Sequence, residues 1–130
     1  MLSFFALKNY PRYRGQAALT EAIVIASTFA QELTADFLER GVWKKPGLML
    51  WEEDWIIEQV ELGAAGAIHV TFSAQESMLA GKTLSFRPSE NAEVGTVIWL
   101  CGYARPIENF LLKSENRTNI SEVVLPRACR

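Results

Sequence analysis

The sequence predicts an α+β fold in which one long N-terminal α-helix packs on a sheet of about four antiparallel strands, with a loop-rich C-terminal tail. Three observations carry this expectation. Apolar residues recur at spacings of three and four across residues 16–40, the helical period. Between residues 57 and 101, short alternating runs are separated by glycine-bearing links, the pattern of strands and turns. Cys101 and Cys129, the only cysteines, bracket what remains, and the second is the penultimate residue.

The helical stripe consists of Leu19, Ala22, Ile23, Ala26, Phe29, Ala30, Leu33 and Phe37. Its opposite face carries Thr20, Glu21, Thr28, Gln31, Glu32 and Glu39, interrupted by Val24 and Ala35, and Gly41 stands where a left-handed cap belongs. At about 1.5 Å per residue such a helix is on the order of 37 Å long, the full height of a small domain. Pro11, in Tyr10-Pro11-Arg12-Tyr13, either opens a helical turn or breaks an earlier one. Leu19, Phe29 and Leu33 are expected to pack on the chain's own sheet.

Residues 42–56 have no sustained period but hold Trp43, Trp51 and Trp55, and predict a connecting loop packed down by aromatics. Strands are expected at 57–62, 67–72, 82–87 and 96–101. In the second, Ile68, Val70 and Phe72 alternate with His69 and Thr71, so a half-buried strand is expected, with His69 a plain surface residue. Beyond Gly102 the one further apolar run, Val123-Val124-Leu125 before Pro126, reads as an edge strand. The expected organisation is one domain over 1–130: a helical spine at 1–41, the loop at 42–56, the sheet at 57–101 and the tail at 101–130. The cysteine near the end is well placed to anchor a tail that would otherwise fray; the competing reading is two unrelated buried thiols.

Composition excludes several functions. A net charge of -2 gives no general basic field for nucleic acid, and no run approaches the roughly 18 apolar residues of a membrane span, so the chain as given is expected to be soluble. One histidine leaves little for a metal site or a catalytic triad. Glu52-Glu53-Asp54 is a solvated charge run, and Ala80-Gly81-Lys82-Thr83 lacks the first glycine and the following helix of a phosphate loop. Asn116-Arg117-Thr118 fits a glycosylation sequon, a motif common by chance. No catalytic, metal or cofactor residue is expected.

The sequence resembles the type IV pilins over most of its length. The resemblance is carried by Thr20-Glu21-Ala22-Ile23-Val24-Ile25-Ala26-Ser27 with the Gly41-Val42-Trp43 helix exit, and by Glu58-Gln59-Val60-Glu61 leading to Ala67-Ile68-His69-Val70-Thr71-Phe72. It continues in Ala80-Gly81-Lys82-Thr83-Leu84-Ser85-Phe86-Arg87-Pro88 and Gly95-Thr96-Val97-Ile98-Trp99-Leu100-Cys101-Gly102. Asn119-Ile120-Ser121 and Leu125-Pro126-Arg127-Ala128-Cys129-Arg130 complete it, and this tail is its most specific part.

The resemblance implies the pilin fold, a Cys101–Cys129 disulfide and a structural, non-enzymatic subunit of a bacterial surface fibre serving adhesion, twitching motility or DNA uptake. Other pilin subunits are the implied partners. The family's apolar N-terminal helix half, which contacts the inner membrane and the assembly machinery, is expected upstream, since residues 1–7 match only its end. Phe4, Phe5, Leu7, Tyr10 and Tyr13 are the candidate subunit contacts. The alternatives are a minor pilin, a type II secretion pseudopilin, or a cystatin-like inhibitor whose hairpin motif is out of register at Gln59-Val60-Glu61-Leu62-Gly63. A host surface or DNA is a further candidate partner, the latter through Arg105, Lys113, Arg117, Arg127 and Arg130, offset by Glu108, Glu115 and Glu122.

Overall fold

A computed structural model describes residues 11–47, 49–51, 55–76 and 78–130, the side chains of 11–13 and 50 excepted. Helix α1 spans Pro11–Arg40. Within the described residues it already runs from Pro11, five residues before the apolar period begins. It ends where Gly41, at φ +78°, turns left-handed and donates its N–H to the Phe37 carbonyl at 2.7 Å.

One face of α1 is unusually flat. Ala18, Ala22, Ala26 and Ala30 lie four residues apart and are all buried, flanked by Leu19 and Leu33. A ridge of methyl groups lets the helix backbone approach closely, so the sheet supplies the bulk: Ile57, Val60, Leu62, Ile68, Val70, Phe72, Leu84 and Phe86 complete the same cluster. Phe29 is partly buried against it. Leu19, Phe29 and Leu33 therefore pack within the chain, as expected.

The described strands are β1 (Met49–Trp51), β2 (Ile57–Leu62), β3 (Ile68–Phe72), β4 (Thr83–Asn91), β5 (Thr96–Cys101) and β6 (Leu111–Leu112). They pair antiparallel in the order β1-β2-β3-β4-β5, with β6 on β4. The four longer strands fall where alternation places them. β1 and β6 are too short to show a period. β4 runs on through Pro88 because β5 stays paired with it from Phe86 to Asn91. The expected edge strand at 123–125 is instead a turn: Val124 and Leu125 donate N–H bonds to the Ser121 and Glu122 carbonyls, which swings Leu125 into the core and leaves Val123 outside.

The loop after α1 folds back through Trp43. Its ring stacks on Phe37, with centroids 4.1 Å apart and 9° between planes, and meets Trp99 edge-on at 5.8 Å. Trp99 in turn donates Nε1–H to Thr34 Oγ1 at 2.7 Å, tying the end of the helix to β5. Gly66, at φ +82°, lies against this cluster; a Cβ there would fall 2.6 Å from Trp43 Cδ2. Of the other two loop tryptophans expected to pack down, Trp51 is 37% and Trp55 78% exposed. Trp43 is the one that stacks on Phe37 at the helix exit.

The alanine ridge makes a direct prediction. Ala26→Leu forces three extra carbon atoms into a site with 0% exposure, and urea denaturation should show a loss of about 1–3 kcal/mol. The same change at exposed Ala35 should shift stability by less than about 0.5 kcal/mol.

Candidate functional site

Two surfaces remain once the core is built: the sheet face turned away from α1, and the outward face of α1 itself. On the first, alternation puts His69, Ser85, Arg87 and Ser89 opposite the apolar residues of β3 and β4. Water is not what they meet. Residues 114–119 of the tail bond across Ser85, Arg87 and the His69 row, while Ser89 lies beside β6 with its hydroxyl donated to the Ile98 carbonyl at 2.8 Å, and all four are buried.

The tail is held by directional bonds. Asn119 clamps Thr83, its Oδ1 accepting the Thr83 N–H at 2.7 Å and its own N–H donating to the Thr83 carbonyl at 3.2 Å. Thr118 Oγ1 accepts the Ser85 N–H at 3.0 Å, and the Arg117 N–H donates to Ser85 Oγ at 2.9 Å. In this way the tail acts as a strand on β4 beyond the end of β5, partly through side chains. The Arg87 guanidinium donates to the Ser114 carbonyl at 3.3 Å, and its burial holds its pKa below the ordinary value. Tyr103 donates its hydroxyl to the Ile120 carbonyl at 2.8 Å.

The single histidine departs most from expectation. His69 is on the outward side of β3, as alternation implied, but it is 3% exposed and not a surface residue, because the tail covers that side. Ser85 is its cross-strand partner, and Ser85 Oγ lies 2.7 Å from His69 Nδ1. Ser85 Oγ also accepts the Arg117 N–H, so this one hydroxyl joins the ring to the tail. Burial, assisted by the Arg117 charge, pushes the His69 pKa down to about 4. Arg117 spans the ring, its main chain on Ser85 and its guanidinium 3.0 Å from Glu61, which faces His69 from β2.

Covalently, the tail is closed by the Cys101–Cys129 disulfide, so the two thiols are not independent. Gly102, at φ +59°, lets the chain leave β5 against this bridge; a Cβ there would fall 2.6 Å from the Cys129 carbonyl oxygen. Asn116, the sequon residue, donates Nδ2–H to the Gly102 carbonyl at 3.0 Å, so its amide is an internal brace. Of the basic residues grouped in the tail, Lys113 is paired with Glu90 and Arg117 with Glu61 and Glu115.

The second surface is a stripe on α1. Ala17, Thr20, Val24, Ser27, Thr28, Gln31, Ala35 and Leu38 are exposed, uncharged and spaced at three and four, with Val24 60% and Leu38 59% exposed. At its N-terminal end Ala17 joins exposed Trp55 in lining an open cleft of about 410 Å³. The sequence showed Val24 and Ala35 as interruptions of a polar face, but not that they join an uncharged stripe with Glu21 and Glu32 at its border.

Of the expected subunit contacts, Phe4, Phe5, Leu7 and Tyr10 lie outside the described residues, as do Glu52, Glu53 and Asp54. Tyr13 lies within α1, and its side chain is likewise outside the description. Among the described residues no group of His, Cys, Asp or Glu is placed to hold a metal, and no helix is long and apolar enough to cross a membrane.

A family model for pilins, the subunits of bacterial filaments, matches residues 15–130, which takes in nearly all of α1, the sheet and the disulfide-closed tail. The chain belongs to the pilin family. No curated protein matches it. Pilins are structural subunits that polymerise with one another into extracellular fibres, and the long helix, antiparallel sheet and bridged tail of this pilin are the fold of that family.

Because the bridge joins positions 28 apart, its contribution follows from loop closure in the unfolded chain. Replacing both cysteines by serine should cost about 3–4 kcal/mol in urea unfolding. Amide signals of residues in the tail should broaden or shift before those of α1.

Proposed function

We propose that this pilin is a subunit of a type IV pilus and that it packs in the fibre through the outward stripe of α1. The carrying observation is that eight exposed positions between 17 and 38 form an uncharged stripe, with Glu21 and Glu32 confined to its border. A helix face meant for water ordinarily carries charged residues; a run of small, apolar and neutral side chains at spacings of three and four suits a neighbouring helix instead. The stripe is on the order of 32 Å long at 1.5 Å per residue, enough for several turns of helix-on-helix contact. Phe4, Phe5, Leu7, Tyr10 and Tyr13 are proposed to prolong the same contact, and Trp55 to join it at the side.

In this reading residues 1–130 act as one pilin-like domain. The alanine ridge faces inward to the subunit's own sheet and the uncharged stripe faces neighbours, which leaves the disulfide-closed tail on the outside of the fibre. That tail then supplies the surface on which adhesion or motility depends. The resemblance of the Trp99-Leu100-Cys101 and Leu125-Pro126-Arg127-Ala128-Cys129 segments to type IV pilins supports the assignment.

Charge introduced into the stripe tests it. The double variant Val24→Glu, Leu38→Glu should leave the unfolding free energy of the isolated protein within about 0.5 kcal/mol, since both side chains are exposed. In a pilus-forming strain whose own subunit gene is deleted, the same variant should give at least tenfold fewer fibres by electron microscopy than the unaltered chain. Fibres in normal number would remove the stripe from the assembly contact.

A further inference from the structure

We propose that residues 114–119 form an acid-released strap over the sheet, with His69 as the group whose protonation frees it. The geometry is a row across three strands: Glu61 on β2, His69 on β3 and Ser85 on β4 face one another in register, and Arg117 of the strap bridges the ends of the row. His69 thus sits beneath the strap residue that makes both a main-chain and a side-chain contact with the sheet. Gly63 closes on the ring from the turn before β3, where a Cβ would overlap the imidazole. There is no slack for the ring to swing out while the strap is down.

Protonation makes both ring nitrogens donors, so the His69–Ser85 bond can run only from Nδ1 to Oγ. Ser85 Oγ, which already accepts the Arg117 N–H, must then accept a second bond and send its own proton elsewhere. The charged groups around the ring divide in sign. Arg117 on the strap and Arg87 on β4 oppose a second cation, while Glu61 on β2 and Glu115 on the strap favour it. Burial under the strap decides against the charged form. Lifting the strap removes that burial and parts the ring from Arg117.

The direction with pH follows. With the strap closed the ring titrates at about 4, against 6.5 when it is free in solvent, so the open state binds the proton first. Closure is at full strength above pH 6.5 and is lost progressively as pH falls toward 4. Those two values make the open population rise about twentyfold between pH 7 and pH 5. The strap stays attached throughout, because the Cys101–Cys129 bridge and the buried side chains of Ile120 and Leu125 hold the rest of the tail.

Native-state hydrogen exchange on the disulfide-intact protein tests this. The amides of Thr83, Ser85 and Arg117, whose acceptors are strap or strap-facing atoms, should be less protected than the amides of residues 22–30 in α1 at both pH values. Their protection, corrected for intrinsic exchange, should fall about twentyfold from pH 7 to pH 5 and be insensitive to low urea, as befits a local opening that exposes little surface. His69→Asn, which keeps an acceptor near the Nδ1 position, should abolish the pH dependence. A titration of the His69 ring by NMR in the unaltered protein guards against a variant that fails to fold: a midpoint near 4 is expected. A midpoint near 6.5, unchanged protection at pH 5, or exchange of the three amides only together with those of α1 would each overturn the proposal.

Discussion

Strand β4 is dry on both sides, and most of the architecture follows from that. Its residues 84–89 are buried without a break, so both the apolar set that faces α1 and the polar set that faces away are cut off from water. Helix α1 is a sufficient cover for the first. The second presents hydroxyls, a guanidinium and, from β3, an imidazole, and burying such groups without partners costs about 1–3 kcal/mol each. Only a segment rich in short polar side chains and free main-chain groups can lie there. Residues 114–119 are such a segment, and the disulfide with Ile120 and Leu125 keeps it in place.

The helix solves the opposite problem. A spine that serves a sheet on one side and, as proposed, copies of itself on the other cannot be strongly amphipathic. In α1 the inward side achieves contact through closeness, with alanines that let bulky sheet residues come up to the backbone. The outward side carries an uncharged stripe with Glu21 and Glu32 at its border, so little charge would be desolvated by the neighbour proposed to sit there. The aromatic stack of Phe37, Trp43 and Trp99 fixes the far end, so the angle between spine and sheet is set at the helix exit and not left to the alanine ridge alone.

How legible this was in the sequence depended on whether an element's partner was local. The four longer strands and the end of α1 came from period and from Gly41, because alternation and capping are properties of the segment itself. The disulfide came from the position of Cys129 together with the resemblance of the tail. What failed was inference about cover. Alternation correctly placed His69 opposite Ile68 and Val70, but which side of a sheet a residue occupies says nothing of what lies on that side. The strap is built from Asn116, Thr118 and Asn119, residues that compose ordinary loops as well, and its bonds to Thr83 and Ser85 cross more than 30 positions. Val123-Val124-Leu125 misled for a related reason: its composition suits a strand, whereas its conformation answers to the need to bury Leu125.

Tethering changes what a strap can do. A free segment that leaves a surface gains the full freedom of a chain end, whereas one held between the strand exit at Cys101 and the anchors at Ile120, Leu125 and Cys129 gains only that of a short closed loop. Its opening is therefore reversible and limited, and it returns to the same place because its effective concentration at the sheet stays high. Neither the alanine ridge nor the outward stripe of α1 takes part in that opening. The surface formed by the tail can change with the medium while the contacts made by the helix do not. In a fibre whose subunits are joined through their helices, that separation lets the exterior respond to conditions without loosening the assembly.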